Sequence, residues 1–494
     1  MFLRFRMRCI VLVFILITLS FECFGMKKVR LTSNTRTSRG LLLSQSQISK
    51  EKNVFYLIED SFDLGGKTIV IPQGCVLSFS GGSVENGTLE GQGASIDAPY
   101  CKIFSTNLKL TGYWQIDKLP VEWYGAVGDN AFDSTEAINA AINNTSVPTV
   151  SLVSDGQYVI TKAIKMRSSD FAFGCFETGY THENAPSAKI FSNCTDHILE
   201  FPRGTDVRGI QLRGLLLQKR WAYNYKGDGI HIEDAAFYRS EFEGVRIYYC
   251  RYGFYQHFGD GYKGFSLNKF TNCVFSGCRY GFSLTHDKGG AYSFWCNLNS
   301  WDNCHFGFNL QYGLEINNVY SCEQNLFSSC GFEGMSMDEN VEWKGNYDIT
   351  SVHMRGQGYG VSTFFNCYFE RNHPKNAPVK ASASRNEQTN YCVADVIIEG
   401  AMVEFQNSTF NEGITPIVVK DGYVGIRILD CVFRKDYDSS SIVLFKNVKS
   451  DNLKTGNYFY FTAPAIDKKY GSVIKAIGCN VRNLPQKVEV LTVR

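Results

Sequence analysis

Short runs of alternating apolar and polar residues recur through the middle of the chain, and four of them open on glycine. They are Gly229-Ile230-His231-Ile232-Glu233, Gly253-Phe254-Tyr255-Gln256-His257, Gly281-Phe282-Ser283-Leu284-Thr285 and Gly313-Leu314-Glu315-Ile316-Asn317. The middle two follow the same triplet, Cys250-Arg251-Tyr252 and Cys278-Arg279-Tyr280, and the glycines step by 24, 28 and 32 residues. Period-two text repeated at such steps, with no helical period, predicts the stacked β coils of a solenoid.

A second mark runs alongside. Leu215, Val245, Cys273, Cys304, Cys330, Cys367, Ser408 and Cys431 each have an apolar residue two positions on: Leu217, Ile247, Phe275, Phe306, Phe332, Phe369, Phe410 and Phe433. Inward residues of successive parallel coils superimpose about 4.8 Å apart, so these marks predict about eight coils around an aromatic stack. Asn272, Asn303 and Asn366, each just before a marked cysteine, predict polar ladders at the turns. The polar stretch 372–389 reads as a loop on the binding side.

Ahead of this body, glycine-broken strand text between Phe62 and Pro99 predicts a small β module that caps the solenoid or binds sugar. Asp133 with Glu136 three residues on makes a capping-box start, and Ala137, Ile138, Ala141 and Ile142 mark one face of a short amphipathic helix. The stretch Gly125-Ala126-Val127-Gly128-Asp129-Asn130, followed by Asp133, Thr135, Ala137 and Ile138, resembles the opening of the pectate-lyase-like, right-handed parallel β-helix superfamily. Asn130 stands where that pattern has a further glycine. The resemblance implies an all-β fold, a right-handed parallel β-helix with a short N-terminal capping helix. The expected organisation is a signal peptide over 1–25, an N-terminal β module over 26–120, the β-helix over 121–450 and a C-terminal cap over 451–494. Tailspikes, lyases and glycosidases share this opening, so it fixes no chemistry.

Lys and Arg number 50 against 48 Asp and Glu, with no long basic block, which argues against a nucleic-acid partner. Arg4, Arg6 and Arg8, the apolar run Ile10–Leu19 and Cys23-Phe24-Gly25 predict a cleaved signal peptide and export to periplasm, cell surface or medium, with lipidation of Cys23 as the alternative. No later run is long and apolar enough for a transmembrane segment. Two of the 17 cysteines, Cys9 and Cys23, fall in the signal; most others are expected as stacked core thiols, with one or two disulfides compatible with export.

Period-two alternation turns one set of the glycine runs outward: His231 and Glu233, Tyr255 and His257, Ser283 and Thr285, Glu315 and Asn317. Gln256 lands on an inward position, and a bulge there would take His257 off the face. Hydrolysis of a glycosidic bond mostly uses two carboxyl groups roughly 5–9.5 Å apart. Glu233 and Glu315 lie three coils apart in this register, about 14 Å, unless Asp287 or Glu323 swings in from a loop. β-Elimination from a uronic acid instead needs a base, an acid for the leaving oxygen and a partner for the carboxylate. His231 or His257 supplies the base, Tyr255 an acid or base, and Arg251, Arg279 or Lys288 the neutralising charge, with Glu315 as a further substrate contact. The bland reading of the two arginines is a bridge to carboxylates at a solvated turn.

The cofactor is left unknown. Calcium is possible through oxygens of Asp287, Glu315, Asn317 and Glu323, but no compact ligand motif appears. Trp295, Trp301, Tyr312 and Tyr320 are candidate platforms for sugar rings. Signal, glycine-rich module and superfamily opening together are similar to secreted bacterial β-helix enzymes, among them the lyases of chondroitin sulfate and hyaluronan, a likeness carried by no matched catalytic motif. The expected function is an exported polysaccharide lyase acting on an anionic uronic-acid polymer. A glycoside hydrolase and a non-catalytic carbohydrate-binding or adhesin solenoid are the alternatives.

Overall fold

The computed structural model describes residues 26–176, 187–259, 263–286, 294–319, 321–334, 348–356, 360–370, 392–420, 425–437, 441–446, 459–462, 465–466, 472–477 and 489–491. The signal expected over 1–25 and the loop over 372–389 lie outside them, as do Asp287, Lys288 and Tyr320. Among the described residues no helix is long and apolar enough to cross a membrane. Two compact units are present, one mostly residues 26–117 and the other beginning at Lys118.

The first unit is itself built of parallel coils. Lys27–Arg30, Val54–Ile58, Val76–Phe79 and the end of Thr88–Asp97 pair side by side, all parallel, while Leu41–Leu42, Ser61–Asp63 and Ser83–Glu85 form a second ladder. Gly65, Gly66, Gly81, Gly82 and Gly87 lie between strands, whereas Gly91 falls inside Thr88–Asp97.

Among the described residues the second unit carries three parallel sheets, with 17, 12 and 11 strands. Both sequence registers hold. In the 12-stranded sheet Leu217, Ile247, Phe275, Phe306, Phe332, Phe369, Phe410 and Phe433 are successive partners. In the 11-stranded sheet Ile230, Phe254, Phe282 and Leu314 pair inward while His231, Tyr255, Ser283 and Glu315 pair outward. The repeated glycine has a steric cause: a Cβ at Gly253 would lie 2.3 Å from the Gly281 carbonyl oxygen, and one at Gly281 2.4 Å from that of Gly313. Gln256 keeps the register, because its buried side chain donates to the Ala235 carbonyl at 2.7 Å. No bulge forms, and His257 stays on the outer face.

The marked cysteines stack at a corner, where the thiols of Cys273, Cys304, Cys330 and Cys367 donate to a carbonyl of the neighbouring coil, as Cys304 Sγ does to Phe270 O at 3.5 Å and Cys330 Sγ to Trp301 O at 3.4 Å. Ser408 makes the same bond to Phe364 O at 3.1 Å. No disulfide joins any two of the described cysteines. Asn272, Asn303 and Asn366 occupy the left-handed region at φ 52–54°, which asparagine tolerates, and Asn303 donates to Asn272 at 2.7 Å. Strands Phe459–Thr462, Ala465–Ile466, Ser472–Ile477 and Glu489–Leu491 extend the same three ladders past residue 450.

The aromatic stack fills the coil interior, with Phe306 between Phe275 and Phe332 at 5.4 and 4.9 Å. Phe306→Ala opens a cavity that its stacked neighbours cannot close. It is expected to cost about 3–5 kcal/mol, read as a lowered urea midpoint.

Two local expectations change. The helix Thr135–Ile142 forms, but Glu136 pairs with Lys162 at 3.5 Å instead of reaching back, and Asp133 caps by accepting from the Thr135 N–H at 3.0 Å. Trp301 is fully buried in the core of the 17-stranded sheet and Tyr312 is nearly so, which removes both as exposed sugar platforms. Trp301 occupies the inward row with Phe270 and Phe327.

Candidate active site

Asp228 stands at the corner leading into the strand Ile230–Glu233 and has no solvent exposure. An ionised carboxylate in that position needs partners on both oxygens. Arg251 supplies a bidentate pair, Nε to Oδ1 at 2.9 Å and Nη2 to Oδ2 at 3.0 Å. His231 Nδ1 lies 2.8 Å and His197 Nδ1 3.1 Å from Oδ2. Burial alone would raise the Asp228 pKa, but His197, His231 and Arg251 together hold it far below the ordinary carboxylate range. Asp228 is an anion at every working pH.

That anion orients His231. A carboxylate only accepts, so His231 Nδ1 is the donor to Asp228, and Nε2 is the ring nitrogen turned away from it. Nε2 lies 3.6 Å from Glu233 Oε2, beyond hydrogen-bond length. The His197 ring stacks on His231 at 3.7 Å, and Tyr255 lies over its other side at 5.5 Å between centroids. Burial first, then the charges of Glu233 and Asp228, raises the Tyr255 pKa, while Thr285 and Arg251 oppose. The phenol therefore keeps its proton at neutral pH. His257 Nδ1 meets Glu233 Oε1 at 3.0 Å on the adjacent outward row.

The arginines of the repeat divide their roles. Arg251 is anchored to Asp228, lies 5.1 Å from the Tyr252 ring and remains 44% exposed, so part of its guanidinium reaches solvent. Arg279 lies over Tyr280 at 5.8 Å, one strand along. Beneath His197, buried Lys219 fixes the corner: its ammonium donates to Ser192 Oγ and Cys194 O, each at 3.0 Å, and to Asp196 O.

Glu315 belongs to a second ionic cluster further along the same outward row. It is buried, accepts from Ser283 Oγ at 2.5 Å and lies 3.9 Å from His353 Nδ1. Burial raises its pKa, against the pull of His353 and Ser283. His353 Nε2 is 3.5 Å from Glu399, and Lys420 bridges Glu399 at 3.7 Å and Asp348 at 2.7 Å. Burial opposes ionisation of Glu399, but His353, Lys420 and Arg355 hold it down to about 2. Burial likewise favours neutral His353, yet Glu399, Glu315 and Asp348 lift its pKa above 6.5.

The signs set a window. Glu399 stabilises above its ordinary 4.5 and loses that contribution as pH falls toward 2. His353 contributes fully below 6.5 and loses its share as pH rises through the lifted value. Glu399→Gln is expected to lower stability by on the order of 2–3 kcal/mol near pH 5.5 and to flatten the loss between about pH 4.5 and 2, read by urea unfolding across pH.

The structure thus brings His231, Tyr255 and His257 together on three outward positions, with Arg251 beside them and Glu315 apart. His197 and Asp228 were not among the sequence candidates, nor were His353, Glu399 and Lys420. The metal question turns on two donor groups, His197 with Asp228 and His231, and Glu233 with Asp234 and His257, each with atoms within 4.8 Å of one another. Arg251 already engages both Asp228 oxygens, and Arg203 holds Asp234 at 2.8 Å. Calcium requires six to eight oxygens, and neither group offers them.

No protein-family profile matches the chain, and no curated protein matches it. Solved structures do. The enzymatically active domain of tailspike protein 2 from bacteriophage CBA120 gives a TM-score of 0.44 at 9% identity, over 74% of this chain and 52% of that one, so the chain spans about half of that protein. The A-module of a mannuronan C-5 epimerase from Azotobacter vinelandii gives 0.44 at 14% identity, over 74% of this chain and 98% of that one. A tailspike of Acinetobacter phage AS12 gives 0.44 at 13% identity, over 77% and 66%.

Proposed function

We propose that the protein is an exported polysaccharide lyase that cleaves a uronic-acid-containing polymer by β-elimination, with a glycosaminoglycan such as chondroitin sulfate or hyaluronan as the favoured substrate. The observation that carries this reading is the buried Asp228 anion, which aims His231 and Arg251 from one corner toward the strand bearing Tyr255. His231 Nε2 takes the proton α to the uronate carboxylate. The exposed N–H groups of Arg251, with Arg279 one strand on, offset the charge that builds on that carboxylate. The bond from the β carbon to the leaving oxygen breaks as the carbon–carbon double bond forms, and the Tyr255 hydroxyl protonates the leaving oxygen. Solvent then returns the proton from His231 to Tyr255.

Hydrolysis on the same scaffold is the second reading, favoured by the proximity of Glu233 and Asp234. Asp234 is tied up by Arg203, however, and Glu315, a carboxyl whose pKa burial raises, lies three strands from His231. Incubation with chondroitin sulfate, hyaluronan, alginate and pectate, followed by ultraviolet absorbance of unsaturated uronides, tests the proposal. New absorbance supports it. New reducing ends without absorbance overturn it in favour of hydrolysis, and retention on a polymer with neither favours a binding solenoid. A chelator arm tests calcium dependence.

A further inference from the structure

We infer that a cavity beside the catalytic corner, walled by Trp221, Asn193, Gln218 and Arg220, is a glycosyl-binding subsite that holds a ring of the polymer away from the cleaved bond. The cavity measures about 570 Å³, within the roughly 300–1,000 Å³ of small-molecule sites. Trp221 is 85% exposed, far more than any other large apolar side chain described. An indole left in water at the wall of a largely apolar cavity is an unused stacking surface, and the apolar face of a sugar ring complements it while the amides and guanidinium of Asn193, Gln218 and Arg220 meet the hydroxyls.

The polar wall is fixed in advance. Arg220 stacks on Phe191 at 5.4 Å, and its Nη2 donates to the Asn130 carbonyl at 2.9 Å as well as to the Asn130 side chain. Asn193 lines the same cavity, and its buried Oδ1 accepts no hydrogen bond. A sugar hydroxyl would supply that missing donor.

The chain connectivity joins this cavity to the active corner. Asn193 and His197 share one connector, and Trp221 and Asp228 share the connector of the next coil. The second connector is pinned at both ends of its run: Arg220 N donates to Ser192 O at 3.1 Å, and Gly229 N to Tyr252 O at 2.8 Å. A polymer lying along these corners passes from the Trp221 cavity to the His231 cluster.

This inference rests on the polysaccharide reading, and the test separates the two. Trp221→Ala and Trp221→Phe are compared with wild type in cleavage of long polymer and of the shortest oligosaccharide cleaved, and in electrophoretic retardation through gels containing each polymer. Because the side chain is exposed, neither substitution disturbs the core. The expected result is a KM for long polymer raised about tenfold in Trp221→Ala, with kcat and the short-substrate KM unchanged and Trp221→Phe close to wild type. Unchanged KM and unchanged retardation in Trp221→Ala overturn the subsite. Retardation of wild type that Trp221→Ala loses, without cleavage by either, keeps the subsite and overturns elimination. Wild type that neither cleaves nor is retarded by any of the polymers overturns both.

Discussion

Asp228→Asn is expected to lower kcat by about 10²–10⁴-fold with little change in KM. The amide keeps the shape of the carboxylate but loses its charge, and it presents an NH₂ group to partners that are themselves donors. His231 then has no acceptor-only neighbour to fix which nitrogen carries the proton, and Arg251 loses the bidentate anchor at 2.9 and 3.0 Å. Because Asp228 acts through these neighbours, it is a positioning residue, and the fall belongs in kcat. The variant also leaves Arg251 without its buried counter-ion, so a stability loss of about 3–5 kcal/mol accompanies the kinetic one. Circular dichroism and a urea titration at the assay temperature separate them: a folded variant with wild-type kcat would remove Asp228 from the mechanism.

His231→Ala carries the second large effect, a loss of about 10²–10⁴-fold in kcat, because the proposed base is then absent. His257→Ala is the informative companion. Its ring meets Glu233 on the adjacent row, not the Asp228 anion, and its loss is expected to be smaller. Tyr255→Phe removes only the hydroxyl while keeping the ring that stacks on His231, so its defect reports the acid step. Steady-state rates on one polymer rank the three. Full activity in His231→Ala with loss in His257→Ala would transfer the base to the second histidine.

The fold was legible because its repeat rests on close backbone contact and on like side chains stacking. Glycine is demanded wherever a Cβ would strike the carbonyl of the next coil, and phenylalanine recurs where rings superimpose, so both columns leave a mark in the text. The outward row was legible from the same alternation. What escaped were residues that no strand period governs. His197 and Asp228 sit at corners, where the chain turns and the spacing of two no longer holds. His353 follows Glu315 on the outward row after 38 residues, a longer step than the 24–32 of the glycine runs, so the insertion hid it. Trp301 belongs to a sheet that the glycine and cysteine marks do not register, and there it is an inward residue. Gln256 broke the apolar pattern without breaking the strand, since its amide finds a backbone carbonyl inside the core.

The central claim is that the cluster around His231 breaks the chain by elimination, and digestion in water labelled with heavy oxygen tests it most directly. Elimination takes no oxygen from water, so the account predicts products that carry an unsaturated uronide at the new non-reducing end and no label at the new reducing end. Products that carry one heavy oxygen at each cleavage and no unsaturated band would contradict it.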